Sequence, residues 1–158
     1  MSNANRREFL QRSSMGVAGA ATMAWAHTAH AKGANSQINV GVIGCGGRGS
    51  SVAETYHAQE NVKVTHVCDP DQARLARTAE RLNIPSRRAV QDMRRLLDDP
   101  DLDAVYIATP DHWHAPAAIL ACDAGKHVYV EKVCSHNVRE SRLLVEAARR
   151  NRCVVQHG

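Results

Sequence analysis

The stretch Gly44-Cys45-Gly46-Gly47-Arg48-Gly49 has G-x-G-x-x-G spacing, which puts a tight turn and unencumbered backbone N–H groups where an anion can lie against them. The first glycine permits the turn, the second lets the backbone approach a pyrophosphate, and the third lets helix and strand pack closely. Phosphates held there meet free N–H groups and the positive end of a helix dipole. Such a loop calls for an acidic residue about twenty positions on, at the end of the second strand. Asp69 stands at that distance from Gly49, directly after Cys68. Its carboxylate can accept hydrogen bonds from ribose hydroxyls and would repel a 2′-phosphate, so the pattern points to NAD. The positive charges of Arg48 and Arg74 leave NADP open.

Two further groups of residues can do chemistry. Thr109-Pro110-Asp111-His112-Trp113-His114-Ala115 supplies a hydroxyl, an X-Pro turn, two imidazoles and an indole, enough to contact a ribose or a nicotinamide. Trp113 is equally readable as packing. His112 and His114, two apart and without a clear third ligand, make a poor metal site, and no metal is expected. The second group is Glu131-Lys132, which follows an apolar run. A lysine with an acidic neighbour can donate a proton or polarise a substrate oxygen; the alternative is a solvated surface ion pair.

These residues need elements to position them, and the pattern supplies an alternation. Ile38 to Ile43 reads as a buried parallel strand, Ser50 to His57 as a helix and Val62 to Cys68 as a second strand. Pro70, flanked by Asp69 and Asp71, is expected to open the next helix, with Leu75, Ala79 and Leu82 on its inner face. Arg88 to Val90 is a short strand, and Asp92 can cap a helix through Leu97. Strands over 103–108, 127–130 and 154–156 alternate with helices over 115–124 and 137–151, the former stopped by Gly125. Strand and helix alternating with short connections predict an α/β domain: a doubly wound parallel sheet of Rossmann type, with right-handed crossovers. In such a sheet ligands lie outside the carboxyl ends of the strands, where all three groups fall.

The remaining sequence narrows the class. The chain has 158 residues, 44% hydrophobic and 23% charged, which suits one soluble domain plus a processed segment. Its net charge of +4 owes much to Arg6, Arg7 and Arg12 near the N-terminus, and no basic stripe with base-reading elements suggests nucleic acid. The five cysteines are scattered without a C-x-x-C pair, so they read as small buried hydrophobes. Residues 1–31 differ in kind. Arg6-Arg7-Glu8-Phe9-Leu10 precedes a mild apolar run through Trp25, and Ala29-His30-Ala31 closes it. That three-part layout is the plan of a cleaved export signal, here of twin-arginine type, read by the export machinery and not a stable membrane anchor. The expected location is the periplasm or beyond.

Together the glycine loop, T-P-D-H-W-H-A and A-G-K-H-V-Y-V-E-K (residues 124–132) occur in the order and spacing of the Gfo/Idh/MocA oxidoreductases, and the chain resembles that family over residues 38–158. The resemblance implies a dinucleotide held by Gly44, Gly46, Gly49 and Asp69, and Cys45 and Arg48 of the same loop are expected to join them. It implies further contacts from Thr109, Pro110 and His114, with His112 expected beside them, and from Glu131 and Lys132, with Lys132 beside the nicotinamide as the catalytic residue. The implied reaction is reversible hydride transfer between NAD(H), or NADP, and a hydroxyl or carbonyl carbon of a sugar or cyclitol. One departure is Val133, where the family has proline after the lysine. Relatives continue into a second α/β domain that completes the sugar pocket. The expectation is therefore a signal over 1–31 and a dinucleotide-binding domain over 32–158 that stops before the substrate domain. The alternatives are a non-catalytic nucleotide-binding fragment, or a subunit completed by a separate chain. An exposed sheet edge would favour self-association into a homo-oligomer.

Overall fold

The computed structural model describes residues 37–158. The export signal expected over 1–31 lies outside the described residues. From Ile38 the chain alternates as the apolar runs require. Strands β1 (Ile38–Ile43), β2 (Val62–Cys68), β3 (Ala89–Val90), β4 (Ala104–Ile107), β5 (His127–Val130) and β6 (Val155–His157) are joined by helices. These are α1 (Gly47–His57), α2 (Gln72–Arg81), α3 (Met93–Leu97), α4 (Asp111–Asp123) and α5 (Val138–Asn151). The six strands pair in parallel in the order β3-β2-β1-β4-β5-β6, the doubly wound order of a Rossmann fold.

A parallel sheet needs cover on both faces, and alternate strand residues feed two cores. Val40, Val42, Val64, Val67 and Tyr106 pack on one face with Leu75 and Ala79 of α2 and Ala53 of α1. Ile43, Val105, Ile107, Val128 and Val130 pack on the other with α3, α4 and α5. A register shift in the β1–β2 ladder, where Val40 faces Val64 but Gly41 faces His66, restores Val67 to the same face as Val64.

Several helix starts differ from expectation, each for a local reason. Helix α1 begins at Gly47, not Ser50: extended Gly46 carries the chain into the first turn, and its carbonyl accepts the Ser50 N–H at 2.9 Å. Pro70 lies outside α2. Asp71 caps that helix instead, its carboxylate accepting the N–H groups of Ala73 and Arg74 at 2.9 and 3.1 Å. Helix α4 starts at Asp111, four residues before the expected Ala115, because Pro110 (φ −58°) sets the entry and accepts the Trp113 N–H at 2.8 Å. Arg88 closes a 3-10 turn (Ser86–Arg88), leaving β3 only Ala89 and Val90. The predicted caps at Asp92 and Asn137 form, and Gly125 follows α4 at φ +74°. Cys45, Cys68 and Cys122 are buried, Cys134 and Cys153 half-buried, and all are free thiols. Among the described residues no helix is long and apolar enough to cross a membrane.

Candidate dinucleotide site

The chemistry-bearing residues gather at the carboxyl ends of β1, β2, β4 and β5. Gly44 leaves β1 at φ +98°, and a Cβ there would lie 2.5 Å from the Ala108 carbonyl oxygen. The turn therefore passes against the end of β4 with no room for a side chain. A Cβ on Gly49 would stand 1.8 Å from the Gly44 oxygen, so α1 packs directly onto the turn. Gly47 has nothing within 4 Å of that position. The N–H groups of the first turn of α1 have no intrahelical acceptor and mark the place for an anion.

Asp69 is buried, and its carboxylate is fixed by two backbone donors. Oδ2 accepts the Cys45 N–H at 2.7 Å and Oδ1 the Asp71 N–H at 2.8 Å. Each oxygen keeps a lone pair, so the group can still accept from a hydroxyl on its open side. Cys45 itself points inward. Its thiol lies 3.7 Å from the Cys68 carbonyl, and burial, with the Asp69 charge second, pushes its pKa up to about 12. Its part in the site is its backbone.

Two adjoining cavities divide the predicted residues. The first, about 660 Å³, takes Gly44, Gly46, Asp69, Thr109, Pro110 and His112. Arg74, Met93 and Trp113 also line it; Trp113 is 46% exposed, so it is a wall of the cavity and not core. The second, about 580 Å³, takes Arg48, Thr109, His114, Glu131 and Lys132. Thr109 borders both, and its Oγ1 is buried without a hydrogen-bond partner. His112 and His114 thus serve different cavities. Among the described residues no cluster of potential metal ligands forms.

Glu131 does not pair with its neighbour. Its Oε1 accepts from Arg48 Nε and from the Tyr106 hydroxyl, both at 2.7 Å. The Tyr106 bond, then the Arg48 bond, hold its carboxyl below the usual carboxylate range. Lys132 is exposed on the rim of the second cavity, with no ion-pair partner among the described residues. The Lys132–Val133 peptide is cis, at the position where the family's proline was expected. His114, 1% exposed, places Nδ1 2.6 Å from the Val133 carbonyl. The Glu131 clasp was missed from sequence, although a tyrosine inside the apolar run of β4 was a signal that a polar group had to be met there.

Comparison with known proteins agrees with this geometry. The model of an oxidoreductase family with an NAD-binding Rossmann fold, Gfo/Idh/MocA, matches residues 38–158. Among curated proteins, Glycosyl hydrolase family 109 protein 1 of Shewanella sp. (strain ANA-3) is 33% identical over 174 aligned residues, covering 95% of this chain and 38% of that protein. The chain thus spans well under half the length of the curated relatives it matches. Among solved structures, an NAD binding oxidoreductase from Klebsiella pneumoniae is similar at TM-score 0.70 and 32% identity, over 78% of this chain and 34% of that one. A protein from gentamicin A biosynthesis, solved with NAD, gives 0.72 and 30% over the same shares, 78% and 34%. A 3-ketoreductase from Actinomadura kijaniata, solved with TDP-benzene and NADP, gives 0.70 and 30% over 77% and 38%.

Proposed function

Because the chain belongs to the Gfo/Idh/MocA oxidoreductase family, we propose that residues 32–158 bind NAD(H) for hydride transfer to or from a hydroxyl or carbonyl carbon of a sugar or cyclitol. The observation that carries this is the meeting of the two cavities at Thr109, one beside the glycine turn and one beside Lys132, which has no ion-pair partner among the described residues. A dinucleotide has two such ends. In this reading the N–H groups of the Gly44–Gly49 loop hold the diphosphate, and Asp69 accepts from the adenosine ribose. Trp113 and Met93 face the adenine end. Thr109, Pro110, His112 and His114 line the path to the second cavity. Buried, unpartnered Oγ1 of Thr109 and Nε2 of His114 mark where a polar partner fits, since such atoms are costly to leave unmet.

The bound nicotinamide would accept or supply the hydride. Lys132, which has no carboxylate partner among the described residues, would hold the proton that leaves or joins the substrate oxygen. Glu131 and Arg48 fix the segment before it. A sugar-like substrate would be enclosed with the help of a second domain, in this polypeptide or in a partner copy. Residues 1–31 are proposed to direct twin-arginine export to the periplasm, which the mass of the exported form would test: a mature start far from Lys32 speaks against it. The names of the Shewanella relatives favour a second reading in which the substrate is a glycoside; NAD-dependent release of an aryl leaving group, without net NADH, would distinguish it.

The direct test is energy transfer. The chain has two tryptophans, Trp25 and Trp113, and Trp113 lines the first cavity. In a Trp25→Phe background, titrated NADH should be sensitised by excitation of Trp113, and adding Trp113→Phe should abolish that transfer. No saturable signal from the unmodified chain would end the dinucleotide reading.

A further inference from the structure

His114 is expected from its motif to touch the dinucleotide, yet its ring is turned to the protein. It sits in the first turns of α4, 1% exposed, and its Nδ1 lies 2.6 Å from the carbonyl oxygen of Val133, 19 residues on. A carbonyl can only accept, so Nδ1 carries the hydrogen. That leaves Nε2 buried and without a hydrogen-bond partner among the described residues, in a residue that lines the same cavity as Lys132. The carbonyl belongs to the residue directly after Lys132. On the other side of Lys132, Glu131 is held by Arg48 and Tyr106. Lys132 is exposed and without an ion-pair partner among the described residues, while the chain on both sides is fixed, from α1 and β4 before it and from α4 after it.

We propose that His114 is a positioning residue: its Nδ1–H bond to the Val133 carbonyl sets where the Lys132 ammonium stands at the nicotinamide end of the site. The role rests on the dinucleotide reading above. A side-chain amide discriminates it from packing. Asn places an N–H near the position of Nδ1, whereas Gln places one near Nε2. His114→Asn should keep the tether, and His114→Gln and His114→Ala should lose it.

Two measurements on the full chain separate the outcomes. Amide hydrogen exchange across residues 131–136 should quicken by about fivefold in His114→Ala and His114→Gln, the size of one lost hydrogen bond, and return to the unmodified rate in His114→Asn. Labelling of lysines by trinitrobenzenesulfonate, read by peptide mapping against exposed Lys63, should show Lys132 shielded by NAD in the unmodified chain. That shielding should weaken by about the same factor in the Ala and Gln variants. Unchanged exchange in His114→Ala, or equal behaviour of Asn and Gln, overturns the positioning role. If exchange responds as expected but NAD never shields Lys132, the tether stands and the placement of Lys132 at the nicotinamide end is overturned; the dinucleotide reading itself falls only if NADH also gives no saturable energy transfer.

Discussion

Glu131 and Arg48, 83 positions apart in the chain, meet at 2.7 Å, and Tyr106 donates its hydroxyl to the same carboxylate oxygen. The pairing joins the first turn of α1 to the segment after β5 and makes Glu131 acid-sensitive. Its folded pKa lies below its ordinary value of 4.5, chiefly through Tyr106. The stabilisation is therefore present above that ordinary value and is lost as pH falls through the folded one. Tyr106→Phe should cost about 1.5–3 kcal/mol at neutral pH, the range for a hydrogen bond to a charged group. Urea unfolding at pH 7 and at pH 3 should show the variant and the unmodified chain converging in acid. A gap that stays constant across pH would mean the loss is only packing.

The glycine turn predicts two opposite outcomes from one kind of substitution. Gly49→Ala forces a methyl group into the Gly44 carbonyl and should destabilise by about 1–3 kcal/mol, with NADH affinity falling at least as far. Gly47→Ala meets open space at the first position of α1 and should leave stability within about 1 kcal/mol of the unmodified chain or raise it. Thermal melts with NADH titrations would check both; equal damage from the two would refute the packing argument.

Asp69 offers a test of cofactor preference. Asp69→Asn removes the charge that opposes a 2′-phosphate and turns one acceptor into a donor. NADH should weaken by about tenfold, an effect the size of one unsatisfied polar group, while NADPH holds or gains. Parallel fluorescence titrations read the ratio. A fall in both by the same factor would assign Asp69 to holding the turn alone.

Burial sets the order of thiol reactivity. Cys45, Cys68 and Cys122 are each pushed up to about 12, first by burial, so almost none is thiolate at pH 8. Ellman's reagent should find at most the half-buried pair, Cys134 and Cys153, on the native chain and all five cysteines after denaturation. Rapid reaction of a third thiol in the native state would contradict the buried core.

Legibility from sequence followed locality. Strands β1 and β2 occupy the expected residues because a strand covered on both faces must be a continuous apolar run. The start of α4 was misplaced because Asp111-His112-Trp113-His114 looks like loop until the fixed φ of Pro110 and its bond to Trp113 are seen. The site residues were nameable from their motifs, but their division between two cavities was not. Nor was the turning of His114 towards Val133. Such facts depend on which strand ends the fold sets side by side, and the order of the sheet is not written in any one segment.

The sheet order carries a last consequence. Strands β2 and β1 lead into the acid and the glycine turn, β4 and β5 into the threonine and the Glu131-Lys132 segment, and β1 and β4 run side by side at the centre. In the dinucleotide reading the nucleotide tail and the reactive head would draw mainly on different strand ends, which the Arg48–Glu131 pair links. On that reading a change at Asp69 or Arg74, whose bonds go to Cys45 and Asp71, is expected to retune the tail alone, whereas a change at Arg48 would reach both ends.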